Sequence, residues 1–188
     1  MRSCARIRSL ESPERPSHPR VEGWRDTSDV TTVEHVNVAR VRAFAAERGV
    51  EIEIRRFPAS TRTAKDAARE IGVEVGRIVK SLVFLAGDRP VVVLCCGDRR
   101  VSEARLSEVI GAGVVSRTTA DEAKRVTGYA IGGVPPFAHE SPCETLIDED
   151  MSRFETVWAA AGLPDAVFEI SVADLRRLAD AKTARIAE

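Results

Sequence analysis

Lys80 interrupts an otherwise apolar run from Ile78 to Phe84. In a strand, side chains alternate between faces, so Lys80 shares a face with Ile78, Leu82 and Phe84. A lysine in such company has two uses. It can sit on an edge strand and discourage sheet-to-sheet association. It can also stand at the rim of a pocket, aimed at a phosphate or at negative charge developing on a substrate. The second candidate is the loop in "TGYAIGGVPPFAHESP", Thr127 to Pro142. Gly132 and Gly133 carry no side chains, so a ligand can approach their backbone and their N–H groups can face an anion or a carbonyl oxygen. Pro135 and Pro136 fix φ and remove two donors. The strap is stiff, and donors placed in advance need no reordering at a transition state. The alternative is a structural turn with Phe137 as a plug in the core. His139 suits general acid or base chemistry near neutral pH, or a surface position beside Glu140.

Other chemistries lack their signatures. The chain has no P-loop, no GxGxxG after a strand, no HExxH and no GxSxG. Cys4, Cys95, Cys96 and Cys143 include no CxxC pair, so zinc lacks a ligand set; buried thiols in a reducing cytosol are expected, with no metal and no cofactor. The 188 residues are 44% hydrophobic and 30% charged, with a net charge of −1. A nucleic-acid partner would therefore need a local basic patch. Of the pairs Arg55-Arg56, Arg99-Arg100 and Arg176-Arg177, the second directly follows a strand and is best placed for a phosphate backbone. No run is long and apolar enough to span a bilayer. Residues 1–30 hold "SPERPSHPR" and read as a disordered extension, so His18 is given no role.

The elements that must position these residues follow from pattern. A helix is expected over Thr32–Arg48, stopped by Gly49, with His35 solvated. "VEIEIRRF" alternates as a half-buried strand. Thr63 and Asp66 cap a helix closed by Gly72. "RIVKSLVFLA" and "PVVVLCC" form a hairpin about Gly87-Asp88-Arg89. Helices are expected from Ser102 to Ile110 and after Thr119, capped by Glu122 and closed by Gly128. "ETLID" reads as a strand, Asp150–Ala161 as a helix, "AVFEIS" as a strand, and Ser171 caps a last helix carrying Leu175, Leu178 and Ile186. Strands that follow one another without an intervening helix argue for a mixed sheet with surrounding helices in one α+β domain.

"VGRIVKSLVF", "PVVVLCCGDRRV", "GYAIGGVPPFAH" and "LIDED", in this order, resemble the YbaK family, also called the prolyl-tRNA synthetase-associated or editing domain family. The resemblance runs from about Thr31 to the C-terminus. It implies one α+β domain over 31–188, a mixed, partly barrel-like β-sheet wrapped by helices. It also implies a free-standing aminoacyl-tRNA deacylase that hydrolyses the ester between a wrong small amino acid and the tRNA 3′ end, in most members on tRNA(Pro). Partners are then the tRNA acceptor end and an aminoacyl-tRNA synthetase. The family's lysine maps onto Lys80, and its loop onto Gly132, Gly133, Val134, Pro135, Pro136 and Phe137. His139 matches a histidine of some subgroups. The resemblance assigns Lys80, Gly132, Gly133 and His139 to catalysis. It assigns Ser81, Val134, Pro135, Pro136, Phe137 and Asp148 to substrate binding. Ala138 stands where glycine is usual, which is costly if the position needs positive φ. Ser81 stands where other members carry asparagine or threonine. An aminoacyl ester is already activated, so a positioned water and oxyanion donors suffice. The alternatives are a non-catalytic module that binds tRNA or a nucleotide, and a structural docking module.

Overall fold

Eight paired residues set the frame. In the computed structural model, which describes residues 34–58 and 63–188, β2 (Val79–Ala86) lies antiparallel to β3 (Arg89–Cys96), from Val79 opposite Cys96 to Ala86 opposite Arg89. Both strands are rich in β-branched residues, which fit a pleated, buried surface. Val91 to Cys96 are all buried, so each strand packs on both faces. One face carries Val79, Val83, Val92, Leu94 and Cys96 into a cluster with Val134, Phe137, Val157 and Phe168. The other carries Phe84, Val91, Val93 and Cys95 into a cluster with Leu106 and Ile186.

Around this hairpin the sheet grows to five strands, in the order β4 (Val115–Arg117), β2, β3, β5 (Glu144–Asp148), β8 (Lys182–Ala184). β5 and β8 are added parallel and β4 antiparallel. A second, three-stranded antiparallel sheet has the order β1 (Ile54–Arg56), β7 (Ala166–Ser171), β6 (Thr156–Ala160). A single bridge between Ile78 and Trp158 joins the two sheets, which do not close into a barrel. The fold is a mixed α+β domain, as the sequence implies.

The helices are α1 (Val36–Ala46), α2 (Ala64–Ile71), α3 (Glu103–Ile110), α4 (Ala120–Thr127) and α5 (Val172–Leu178). Their starts follow local chemistry. Thr63 caps α2 by accepting from the Asp66 N–H, Thr119 and Glu122 form a reciprocal capping box on α4, and Ser171 caps α5 through the Asp174 N–H. His35 is the N-cap of α1 and accepts from the Asn37 N–H. α5 ends at Leu178, so Ile186 lies beyond β8 and not on that helix. Residues 1–30, expected to be an extension, lie outside the described residues.

One expected element has a different form. Asp150–Ala161 is not a helix: Glu149–Arg153 is a 3-10 turn and Thr156–Ala160 is β6. Phe154, Val157, Trp158 and Ala161 fit a helical period. Val157, Trp158 and Ala159 are all buried, however, so β6 packs on both faces and shows no polar alternation. Its register against β7, Thr156 opposite Ser171 to Ala160 opposite Val167, decides the form. The short β4 carries no sequence signal of comparable strength.

Asp148 ends β5 and is 2% exposed. Its carboxylate accepts three backbone N–H groups, from Asp150 at 3.1 Å, Ile186 at 3.0 Å and Ala187 at 2.7 Å. It therefore fastens the C-terminal segment to the sheet. Asp148→Ala leaves these donors without an acceptor and should lower the unfolding free energy by about 3 kcal/mol. Asp148→Asn, which keeps one oxygen acceptor, should cost less. Urea titration of the two variants checks the order, and equal stabilities would show that the amides find water instead.

Candidate functional site

β2 is fully paired on its β3 side but not on the other. The Ile78–Trp158 bridge covers one end of that side, and β4 covers the other from Phe84 onward. Thr118 extends the cover by donating its N–H, at 3.2 Å, and its hydroxyl, at 3.0 Å, to the Val83 carbonyl. Alternate residues of a strand turn their backbone polar groups the same way. The N–H and C=O of Ser81 therefore point toward this uncovered stretch, as Val83's carbonyl does. The β4 pairing starts only at Phe84 and does not reach them. The Ser81 Oγ is buried and lacks a partner among the described residues. Buried polar groups are ordinarily satisfied, so such an atom marks a place where a ligand's polar group would be accommodated.

Lys80 stands next to this stretch. It pairs across the hairpin with Cys95, which places its side chain on the α3 face of the sheet. Its ammonium donates to the Arg99 carbonyl, and no carboxylate pairs with it among the described residues. β2 is interior in the sheet order, so the edge-strand role does not apply to it as a whole. Arg99 instead pairs with Asp150 at 2.6 Å, while Arg100 carries no ion pair among the described residues. A polar cleft of about 270 Å³ beside Arg99 is lined by Arg105, Arg185 and four acidic side chains, among them Asp148. Three arginines face four acidic side chains, so the cleft offers no basic patch. Asp148 itself is committed to backbone amides.

The loop packs against the other face of the hairpin. α4 ends at Gly128, where φ is 83°. Tyr129 then plunges into the core, fully buried, and its hydroxyl donates to the Ala138 carbonyl at 2.8 Å. Burial raises the pKa of this phenol. Phe137 is 2% exposed and stacks on Phe44 at 5.3 Å, with Phe168 at 5.7 Å on another side. It is a core plug, and Val134, Pro135 and Pro136 are buried with it. Gly133 has no room for a side chain, because a Cβ would meet the Leu163 backbone at 2.9 Å. Its N–H donates to the Ala130 carbonyl at 2.9 Å, so this donor is already used and does not face an anion. Gly132 is exposed, with φ 88°. His139 is half-buried and its Nε2 lies 2.8 Å from the Pro135 carbonyl; burial lowers its pKa.

The structure thus brings Ser81 and the loop to one face and sends Lys80 from the adjacent position to the opposite face. Two residues that the sequence reading passed over hold the loop in place: Tyr129, and Arg40 of α1, which lies 5.4 Å from the Tyr129 ring centroid and pairs with Glu140 at 3.0 Å. "GY" directly before the loop was the available signal. The thiols of Cys95 and Cys96 are buried, and burial pushes Cys95 up to about 12. Among the described residues no group of three or more His, Cys, Asp or Glu side chains gathers to hold a metal, and no helix is long and apolar enough to cross a membrane.

The candidate site is the stretch of β2 that β4 does not reach, with the glycine–proline loop on one face and Lys80, which has no carboxylate partner among the described residues, on the other. The chain belongs to the aminoacyl-tRNA editing domain family, whose sequence model matches residues 58–178, from before α2 to the end of α5. It is 28% identical over 148 residues to the uncharacterized protein YwhH of Bacillus subtilis, covering 78% of this chain and 94% of that one. It is 33% identical over 107 residues to the proline–tRNA ligase of Lactobacillus helveticus, covering 57% of this chain but 19% of the ligase. The crystal structure of a candidate trans-editing enzyme for prolyl tRNA synthetase superposes with a TM-score of 0.77 at 37% identity, covering 82% of this chain and 98% of that one.

Ala138 has φ 64°, the left-handed region that an L-residue with a Cβ enters at a cost. The condition under which alanine is costly here therefore holds. Replacing Ala138 by glycine should remove the strain and raise stability by about 0.5–1 kcal/mol, net of the greater chain entropy of glycine. Thermal unfolding at constant pH measures this, and a lower Tm for Ala138→Gly would mean that the buried methyl group contributes more than the strain costs.

Proposed function

We propose that this chain is an aminoacyl-tRNA deacylase acting in trans, which clears a small amino acid wrongly esterified to the 3′ end of a tRNA, with tRNA(Pro) the leading candidate. The observation that carries this reading is the editing-domain match over residues 58–178, which encloses both the Lys80 strand and the glycine–proline loop. The likeness to a candidate trans-editing enzyme and to part of proline–tRNA ligases supports prolyl-tRNA synthetase as the enzyme whose errors are cleared. A cytoplasmic setting follows from that role.

Hydrolysis adds water across the ester. A water oxygen attacks the carbonyl carbon, the carbonyl oxygen takes up negative charge, and the bond to the ribose oxygen breaks to release the amino acid and a free terminal hydroxyl. The Ser81 hydroxyl, buried and without a partner among the described residues, is suited to a polar atom of the aminoacyl group. The Lys80 ammonium, on the next residue but the opposite face of the sheet, supplies positive charge either for a phosphate of the terminal nucleotides or for the oxyanion. The rigid loop closes the loop-side face and limits the size of side chain admitted. One methylene changes binding by only about 1–3 kcal/mol, which is why a synthetase gains from a second, separate sieve.

A second reading has its own observation. Gly133 has spent its N–H and Lys80 leaves the opposite face of the sheet from the loop, an arrangement that also suits a module that binds a tRNA end without turning it over. Alanyl, seryl, threonyl and cysteinyl esters of tRNA(Pro) and of their own tRNAs separate the two. Hydrolysis of at least one ester is expected, with kcat/KM falling about 100-fold or more in Lys80→Ala. Salt-sensitive tRNA binding with no hydrolysis of any ester would favour the binding module.

A further inference from the structure

His139 lies at the far end of the loop, four residues past Pro135. A carbonyl oxygen can only accept a hydrogen bond, so the 2.8 Å contact between the His139 Nε2 and the Pro135 oxygen requires the proton on Nε2. The imidazole is then the Nε2–H tautomer, with a bare Nδ1 that has no hydrogen-bond partner among the described residues. This one bond closes the segment Pro135-Pro136-Phe137-Ala138 into a ring. Inside it, Ala138 sits at φ 64°, and its carbonyl is held by the Tyr129 hydroxyl. Two side chains therefore pin two successive bends of the same loop. Without them the strained Ala138 could relax toward ordinary φ, and the prolines and Phe137 would shift with it.

We propose that His139 is a positioning residue: it donates from Nε2 to the Pro135 carbonyl and fixes the wall of the site, and it does not exchange protons with substrate or water. This rests on the deacylase reading for its kinetic test but not for its structural one. The groups that face the ring are few. Tyr129, at the end of α4, meets it edge-on with ring centroids 6.5 Å apart. Glu140 follows it in the chain and is engaged by Arg40 from α1. No carboxylate pairs with the imidazole among the described residues, and its depressed pKa keeps it neutral at working pH.

The test uses the geometry of amide side chains. The glutamine side-chain nitrogen lies about as far from Cα as the histidine Nε2, and the asparagine nitrogen about as far as Nδ1. H139Q should therefore restore most of the activity that H139A loses, to within about threefold of the parent. H139N should stay as impaired as H139A, about 10- to 100-fold down in kcat/KM, the scale of loss expected when a site wall moves by about an ångström. The parent's pH–rate profile should show no limb that disappears in H139Q. A general base predicts the opposite: H139Q as inactive as H139A, and an acid limb that vanishes with the imidazole. Either that result or full activity in H139A overturns the proposal. Nitrogen-15 NMR of the imidazole, with Nε2 protonated and Nδ1 bare at pH 7.5 expected, gives a readout that needs no substrate. If the parent hydrolysed no ester, the deacylase reading would fall while the tautomer still decided the role of His139. A protonated Nδ1 in the neutral ring would sink it.

Discussion

The two-sided burial of the β2–β3 hairpin is the constraint on which the rest depends. Because both faces of these strands are apolar, the sheet must be covered twice, and the chain supplies two different covers. α3 and the C-terminal segment close one face around Leu106 and Ile186. The loop, α1 and the three-stranded sheet close the other around Phe137 and Phe168. A fully buried phenylalanine side chain contributes roughly 2–3 kcal/mol by leaving water. The loop is therefore fixed by its contribution to the core, and its function inherits that rigidity.

This explains how a site can exist in a segment so deeply packed. Five consecutive loop residues, Val134 to Ala138, are buried. They offer a ligand shape, not donors. The free polar group comes from the strand, where the buried Ser81 hydroxyl, between the Ile78–Trp158 bridge and the start of β4, has no partner among the described residues. The division of labour differs from what the glycines suggest on their own. Gly133 is small because the Leu163 backbone presses on it, and Gly132 keeps the backbone in a turn at φ 88°.

How much of this was legible in the sequence depends on the range of the force involved. Helix caps at Thr63, Thr119 and Ser171 are local hydrogen bonds within four residues, and they stand where the pattern put them. The hairpin was legible because β-branched residues run unbroken on both sides of a tight turn. β6 was not, since a strand buried on both faces by Phe168 and Ile78 loses its alternation, and its pairing with β7 cannot be seen in its own residues. The cost at Ala138 was legible as a departure from a family pattern. The side of the sheet taken by Lys80 followed from period two. That the loop lay on the other side did not, because it depends on packing more than forty residues away along the chain.

The strand order also has a consequence for how the molecule comes into being. Among the described strands β1 pairs with β7 only, with Ile54 opposite Phe168, more than a hundred residues later. β8, which follows α5, seals the far edge of the larger sheet against β5. During synthesis, the β2–β3 hairpin and α4 can form as soon as they emerge, but β1 must wait with an unsatisfied edge until β7 has appeared. Closing so long a loop is slow. Charged residues next to and within β1, Glu53, Arg55 and Arg56, are suited to that interval, since they discourage the waiting strand from pairing with the wrong neighbour.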